Sequence, residues 1–344
     1  MSAAVRFLLR AALGACALTA AATAHAQQRW DMSLAWPAGN FHSRNAEAFA
    51  AKVREATGGQ VLITVHAGGE LNVKGPDTLM AVESGIVQVA DMLVSQQAGV
   101  EPLLGMDALP GLIAGQDDMK TFLRHARPVY DRIAAAHNQR ILYAVPWPSP
   151  GLFSRKALST PEDMKGQKLR AHDKAAYEFM AQLGAAPTQM PWGEVVPALA
   201  AGTIDGVGTS ASSGVDGKFW EFTPHFLPLN WATSLSLVTV NLDAWDKLSA
   251  AQQQAVQAAA AELEPRFWQI SAAQDEKDLA ILREHKVAIA TPSEALGARV
   301  AAVGRPMWDA FARQAGPAGA PAARRLSARP QAALSEPPWT ACYA

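Results

Sequence analysis

The sequence predicts an α/β protein built as two lobes. Runs with strand character alternate with runs of helical periodicity along most of the chain, the pattern of a sheet whose crossovers are helices. The 344 residues exceed what one hydrophobic core usually organises. A single helical pattern runs from Ala250 to about Lys286, interrupted only by Pro265, where a kink is expected.

The first strand is WDMSLAW (30–36), and WPAGN turns it into a helix from Phe41 to Thr57 that Thr57-Gly58-Gly59 stops. VLITVH (61–66) is the second strand, and a short helix over about 76–84 ends at Gly85. IVQVADMLV (86–94) is apolar and β-branched, like a strand covered on both faces. A helix over about 117–137 opens on Asp117-Asp118, acids that suit the positive end of its dipole. RILYAVPW (140–147) is a strand, KLRA (168–171) a short one, and a helix follows to Gly184. Another helix opens near Trp192 and stops at Gly202, before a strand and turn at IDGVGTS (204–210). SLSLVTVN (234–241), the long helix, VAIATP and a helix over 293–313 complete the series. Alternation of this kind predicts mainly parallel pairing, and in such sheets ligands sit at the carboxyl ends of the strands.

Composition is that of a globular chain, 49% hydrophobic and 18% charged, with a formal net charge of -1. No basic stripe points to nucleic acid. Arg6 and Arg10 precede an Ala-rich apolar run ending in Ala24-His25-Ala26, so 1–26 reads as a secretory signal cleaved after Ala26. Cys16 lies too close to Arg10 to serve as a lipoprotein anchor. With the signal gone Cys342 is the one cysteine left, which excludes an intramolecular disulfide. Residues 314–344 are rich in Ala, Pro and Arg without periodicity and read as a disordered tail.

Chemistry leaves little trace. The chain contains no G-x-S-x-G, H-E-x-x-H, C-x-x-C or Walker-type loop. GVGTSASSG (206–214) has glycines but neither the lysine nor the spacing of a phosphate loop, so a plain turn explains it better. The eight histidines show no metal-ligand spacing; His172, two residues after Arg170, suits a hydrogen-bonding role. No catalytic residues, metal or cofactor are therefore expected.

Two segments resemble a known family. STPEDMKGQKLRA (159–171) and PWGEVVPALAAGTIDG (191–206) are similar to the hallmark runs of the DctP-type solute-binding proteins of TRAP transporters. FAAKVREATGGQVLITVHAGGEL (49–71), LMAVESGIVQVADM (79–92) and LPGL (109–112) fit the same family, as does the long helix, so the resemblance covers about 30–313. It implies a two-lobed periplasmic binding protein fold with a long helix spanning both lobes. The first lobe would hold 27–148 and 236–275, the second 149–235 and 276–313. It also implies a monomer that captures a small organic acid, in the periplasm, by cleft closure and delivers it to membrane permease subunits. A periplasmic enzyme and a sensory binding protein on the same scaffold are the competing functions.

The resemblance points to Arg170 as the ligand-carboxylate clamp, a role suited to the planar guanidinium fork. It makes Trp192 a wall residue and places Thr209, or Ser210 beside it, where a polar group meets the carboxylate. Pro150 replaces the second ligand arginine of sialic-acid-binding members, and Pro37 replaces a polar asparagine. Sialic acid is thereby disfavoured. Trp36, Trp147 and Trp231 would add flat apolar surface, with core packing as the competing role. His42, Ser95, Gln96 and Asn230 complete the polar candidates.

Overall fold

The computed structural model describes residues 27–327; residues 1–26, read from sequence as a signal, and 328–344 lie outside them. Strands β1 (Gln28–Ser33), β2 (Val61–His66), β3 (Val89–Leu93), β4 (Gln139–Pro146) and β10 (Leu235–Asn241) form one sheet in the order β2-β1-β3-β10-β4. The second sheet contains β5 (Pro150–Ser154), β6 (Leu169–Ala171), β7 (Thr188–Gln189), β8 (Gly206–Ser210), β9 (His225–Leu227) and β11 (Ala288–Ile289), in the order β11-β9-β5-β8-β6-β7. The pairing is more mixed than alternation suggested. β10 lies antiparallel between β3 and β4, and β5 lies antiparallel between β8 and β9. Both are the strands by which the chain enters one sheet directly from the other. With no helix in the connection, the entering strand need not run parallel to its neighbours.

Helix α1 (Phe41–Ala56) starts because the Asn40 side chain accepts from His42 N–H, and it buries Phe41, Phe49 and Val53 against the first sheet. The later helices are α2 (Thr78–Glu83), α3 (Gln116–Ala136), α4 (Lys174–Gln182), α5 (Val195–Ala201), α6 (Ala211–Asp216) and α7 (Leu242–Trp245). The stretch read as a plain turn at 206–214 is instead a strand running into a helix. Ser210 makes this join by capping α6 and accepting from Ser213 N–H.

The long helix α8 (Ala250–Glu284) opens on a reciprocal capping box between Ser249 and Gln252 and stays one helix through Pro265. Its first half places Val256, Ala260, Leu263 and Phe267 in the first-lobe core; its last turns place Leu279 and Leu282 in the second. Trp268 and Ser271 fasten it to β4, donating to the carbonyls of Ala144 and Pro146 at 2.8 and 2.6 Å. The helix therefore spans both lobes.

Helix α9 (Glu294–Ser327) also bridges them. Leu296, Val300, Val303 and Met307 pack in the second lobe, whereas Trp308 and Phe311 pack with the first-lobe core. This corrects the expectation that 276–313 belongs wholly to the second lobe. The Trp308 indole donates to Pro110 O at 2.8 Å, and Gly304 lets the backbones close up: a Cβ there would stand 2.6 Å from the same oxygen. The helix continues past 313, so the first part of the segment read as a disordered tail is helical. Among the described residues no helix is long and apolar enough to cross a membrane.

Candidate functional site

The lobes meet around a cavity. The first lobe contributes Trp36, Leu93 and Trp147, and the second contributes Arg170, His172, Trp192, Thr209, Ser210 and Ser213. The crossing segments add Pro148, Pro150 and Ser234. Three hydrogen bonds tie the lobes at its edges: Asn40 Nδ2 to Asp216 (2.6 Å), Lys74 Nζ to Glu194 (3.0 Å) and Gln96 Nε2 to the His172 carbonyl (3.0 Å).

Arg170 stands on β6, which pairs with β8 through Arg170 and Val207 and with β7 through Arg170 and Thr188. Its side chain is 2% exposed, yet it lines the cavity. Nε donates to Met190 O at 2.9 Å, which fixes the plane of the fork. Among the described residues no carboxylate lies within 4.0 Å of the guanidinium. Burial pulls its pKa down to about 10, with Asp173 acting in the opposite direction. A guanidinium held out of water without an anion is costly, and a bound carboxylate relieves that cost.

Asp173 is fully buried, and burial would raise its carboxyl. Contact with His172, the Ala176 N–H and Ser95 outweighs burial and holds it down to about 2. It caps α4 by accepting from Ala176 N–H at 2.7 Å, and its Oδ2 lies 3.2 Å from His172 Nε2.

Another part of the lining is an aromatic wall. Trp36 meets Trp147 edge-on with centroids 4.7 Å apart, and Trp192 meets Trp36 at 6.4 Å. One carboxylate orients this wall. Asp91 accepts from Trp36 Nε1 (3.1 Å) and Ser236 Oγ (2.9 Å), and its other oxygen lies 3.1 Å from His42 Nδ1. Ser236 in turn accepts from Trp147 Nε1 at 3.0 Å, and the His42 ring stacks on Trp147 at 4.2 Å.

Of the residues singled out from sequence, Arg170, Trp192, Thr209, Ser210, Trp36 and Trp147 come together around the cavity. Trp231, Asn230, Ser95 and His42 do not line it. Trp231 is 1% exposed and stacks on Phe179 at 5.2 Å, so packing claims it. Asn230 serves the backbone, with φ of 48° and its N–H on Pro150 O. His42 lies behind Trp147, and Ser95 lies at Asp173. His172, Ser213 and Ser234 line the cavity but were not among the candidates. Nothing in the sequence set His172 apart from the other histidines, because it stands in the bend after β6 rather than on the strand. Among the described residues, no three His, Cys, Asp or Glu side chains are grouped as a metal site requires.

Two α/β lobes closing on an arginine-bearing cavity define a two-lobed solute-binding protein. The profile of the family described as "Bacterial extracellular solute-binding protein, family 7" matches residues 32–314, and the chain belongs to this family, the DctP type of TRAP solute-binding protein. The fold is similar to an extracytoplasmic solute receptor of Bordetella pertussis that binds pyroglutamic acid, with TM-score 0.84 and 30% identity over 88% of this chain and 100% of that one. It is equally similar to a marine metagenome TRAP protein specific for pyroglutamate, with TM-score 0.84 and 29% identity over the same shares. The monocarboxylate 2-oxoacid-binding periplasmic protein of Nostoc sp. is 30% identical over 68% of this chain and 65% of its own length.

Proposed function

We propose that the chain is a periplasmic receptor that binds one small organic monocarboxylate and hands it to a TRAP membrane permease. It would act as a monomer after removal of residues 1–26. One observation carries the reading: Arg170, the one guanidinium lining the cavity among the described residues, is buried beside tryptophan rings with no described carboxylate within 4.0 Å. One cation suits one carboxylate, and the apolar ring surface of Trp36, Trp147 and Trp192 suits a compact, ring-sized body better than a hydroxyl-rich sugar chain. The pyroglutamate-binding structures at 29–30% identity support the same class. Pyroglutamate is therefore the first ligand to test, followed by short oxo and hydroxy acids.

The test is calorimetric titration of the mature chain with this panel, alongside Arg170→Ala and Arg170→Lys. Losing one partner of a buried charge pair costs about 2–5 kcal/mol, a drop in affinity of roughly 30-fold to several thousand-fold. Lysine should rescue poorly, because an ammonium lacks the planar fork. A folded Arg170→Ala protein that binds within about threefold of wild type, a difference near 0.65 kcal/mol, would place the carboxylate elsewhere.

A further inference from the structure

We infer that His172 is a specificity-determining residue of this cavity, and that it selects acids carrying an N–H or O–H donor on the carbon next to the carboxylate. The inference rests on Arg170 holding that carboxylate.

His172 stands in the bend just past β6, two residues after Arg170, so the two side chains rise from neighbouring points of the chain. Both line the cavity. The imidazole is fastened on one side only. Nε2 lies 3.2 Å from Asp173 Oδ2, and Asp173 is itself fixed by the Ala176 N–H and fully buried. The carboxylate beside Nε2 is an ion-pair contact, and its negative charge favours the tautomer with the hydrogen on Nε2. In the neutral ring Nδ1 is then a bare lone pair. That atom is buried and has no hydrogen-bond partner among the described residues.

Closure holds the residue in this position, because Gln96 of the first lobe donates to the His172 carbonyl at 3.0 Å. A buried acceptor without a donor is a standing cost, which a ligand N–H or O–H removes and a C–H does not. The carboxylate on Arg170 sets the reach. With one end fixed there, the group nearest His172 is the substituent on the adjoining carbon. The ring N–H of pyroglutamate and the hydroxyl of lactate satisfy this description. A carboxylate alone does not.

The experiment uses matched pairs. The mature chain and His172→Phe, which keeps a flat ring without nitrogen, are titrated side by side. The probes are pyroglutamate against its carbocyclic ketone analogue, with CH2 in place of the ring N–H, and lactate against propionate. Wild type should favour the donor-bearing member of a pair by tenfold or more. His172→Phe should erase that preference while holding the donor-free member at least as well as wild type does. His172→Gln, which restores an acceptor, should recover part of the preference. Equal binding of paired acids by wild type would overturn the inference, as would equal losses for both members in His172→Phe. If no carboxylate binds folded wild type, or binding ignores Arg170→Ala, the receptor reading itself falls. If carboxylates bind through Arg170 without the donor preference, only the role of His172 falls.

Discussion

Replacing Asp91 with alanine tests how the aromatic wall is held. Asp91 is 5% exposed and serves three partners: the Trp36 indole at 3.1 Å, the Ser236 hydroxyl at 2.9 Å and the His42 ring at 3.1 Å. All three are buried, so water cannot replace the carboxylate without entering the core. Each orphaned polar group costs about 1–3 kcal/mol, and partial relaxation makes the sum less than additive. A net loss of about 3–5 kcal/mol is expected, the range for breaking a buried charged network. Asp91→Asn keeps the shape and one acceptor oxygen, so it should lose less. Guanidinium denaturation with linear extrapolation measures the stability. Because Ser236 also anchors Trp147, both tryptophans should lose their fixed angle, and calorimetry should show weaker ligand binding at temperatures where the variant is still folded. A loss below about 1 kcal/mol, the value of one ordinary hydrogen bond, with unchanged affinity would refute the argument that Asp91 organises the wall.

Further outcomes concern charge and packing. Burial, and then the neighbouring Asp278, push the Asp275 carboxyl up from its ordinary value to about 6. The folded form holds this proton more tightly than the unfolded one. The stability it contributes is complete below the unfolded value and is lost as pH rises through about 6. Asp275→Asn should therefore stabilise the protein by about 1–3 kcal/mol near neutral pH, and the gain should vanish near pH 4 in denaturation curves. For His137, burial would lower the pKa, but hydrogen bonds with Glu83 (2.6 Å) and Glu101 (3.0 Å) outweigh it and raise the value. Its stabilisation should be full below the unfolded value and fade as pH rises through the raised one, so wild type and His137→Gln should converge in alkaline melts. Gly206→Ala should cost about 1–3 kcal/mol or more, because its Cβ would meet the Phe153 carbonyl oxygen well inside 3.0 Å, and backbone cannot move aside cheaply.

Elements set by local chemistry were legible in advance. VLITVH became β2 residue for residue, and the long helix begins and ends within two residues of its expected bounds. The strand PGLFS and helix α6 were missed, because a five-residue segment opening on a proline and a serine-rich run carry no periodicity. The site divides in the same way. Arg170 stood out through the run that precedes it, whereas His172 looked like any isolated histidine until Asp173 and the cavity were seen around it.

The tryptophans show where sequence stops. Trp36, Trp147, Trp192 and Trp231 are chemically alike, and each suits a core or a binding wall equally well. Sequence by itself determined the alternation of elements, the long helix and the arginine, since periodicity, capping and motif spacing are local properties. Only the tertiary structure decided that Trp231 stacks on Phe179 in the core while the other three line the cavity. That choice depends on residues far apart in the chain. Asp91 turns Trp36 toward the cavity from 55 positions away, and Ser236 holds Trp147 from 89. Burial and hydrogen bonding across such distances are fixed only when both lobes have folded and met.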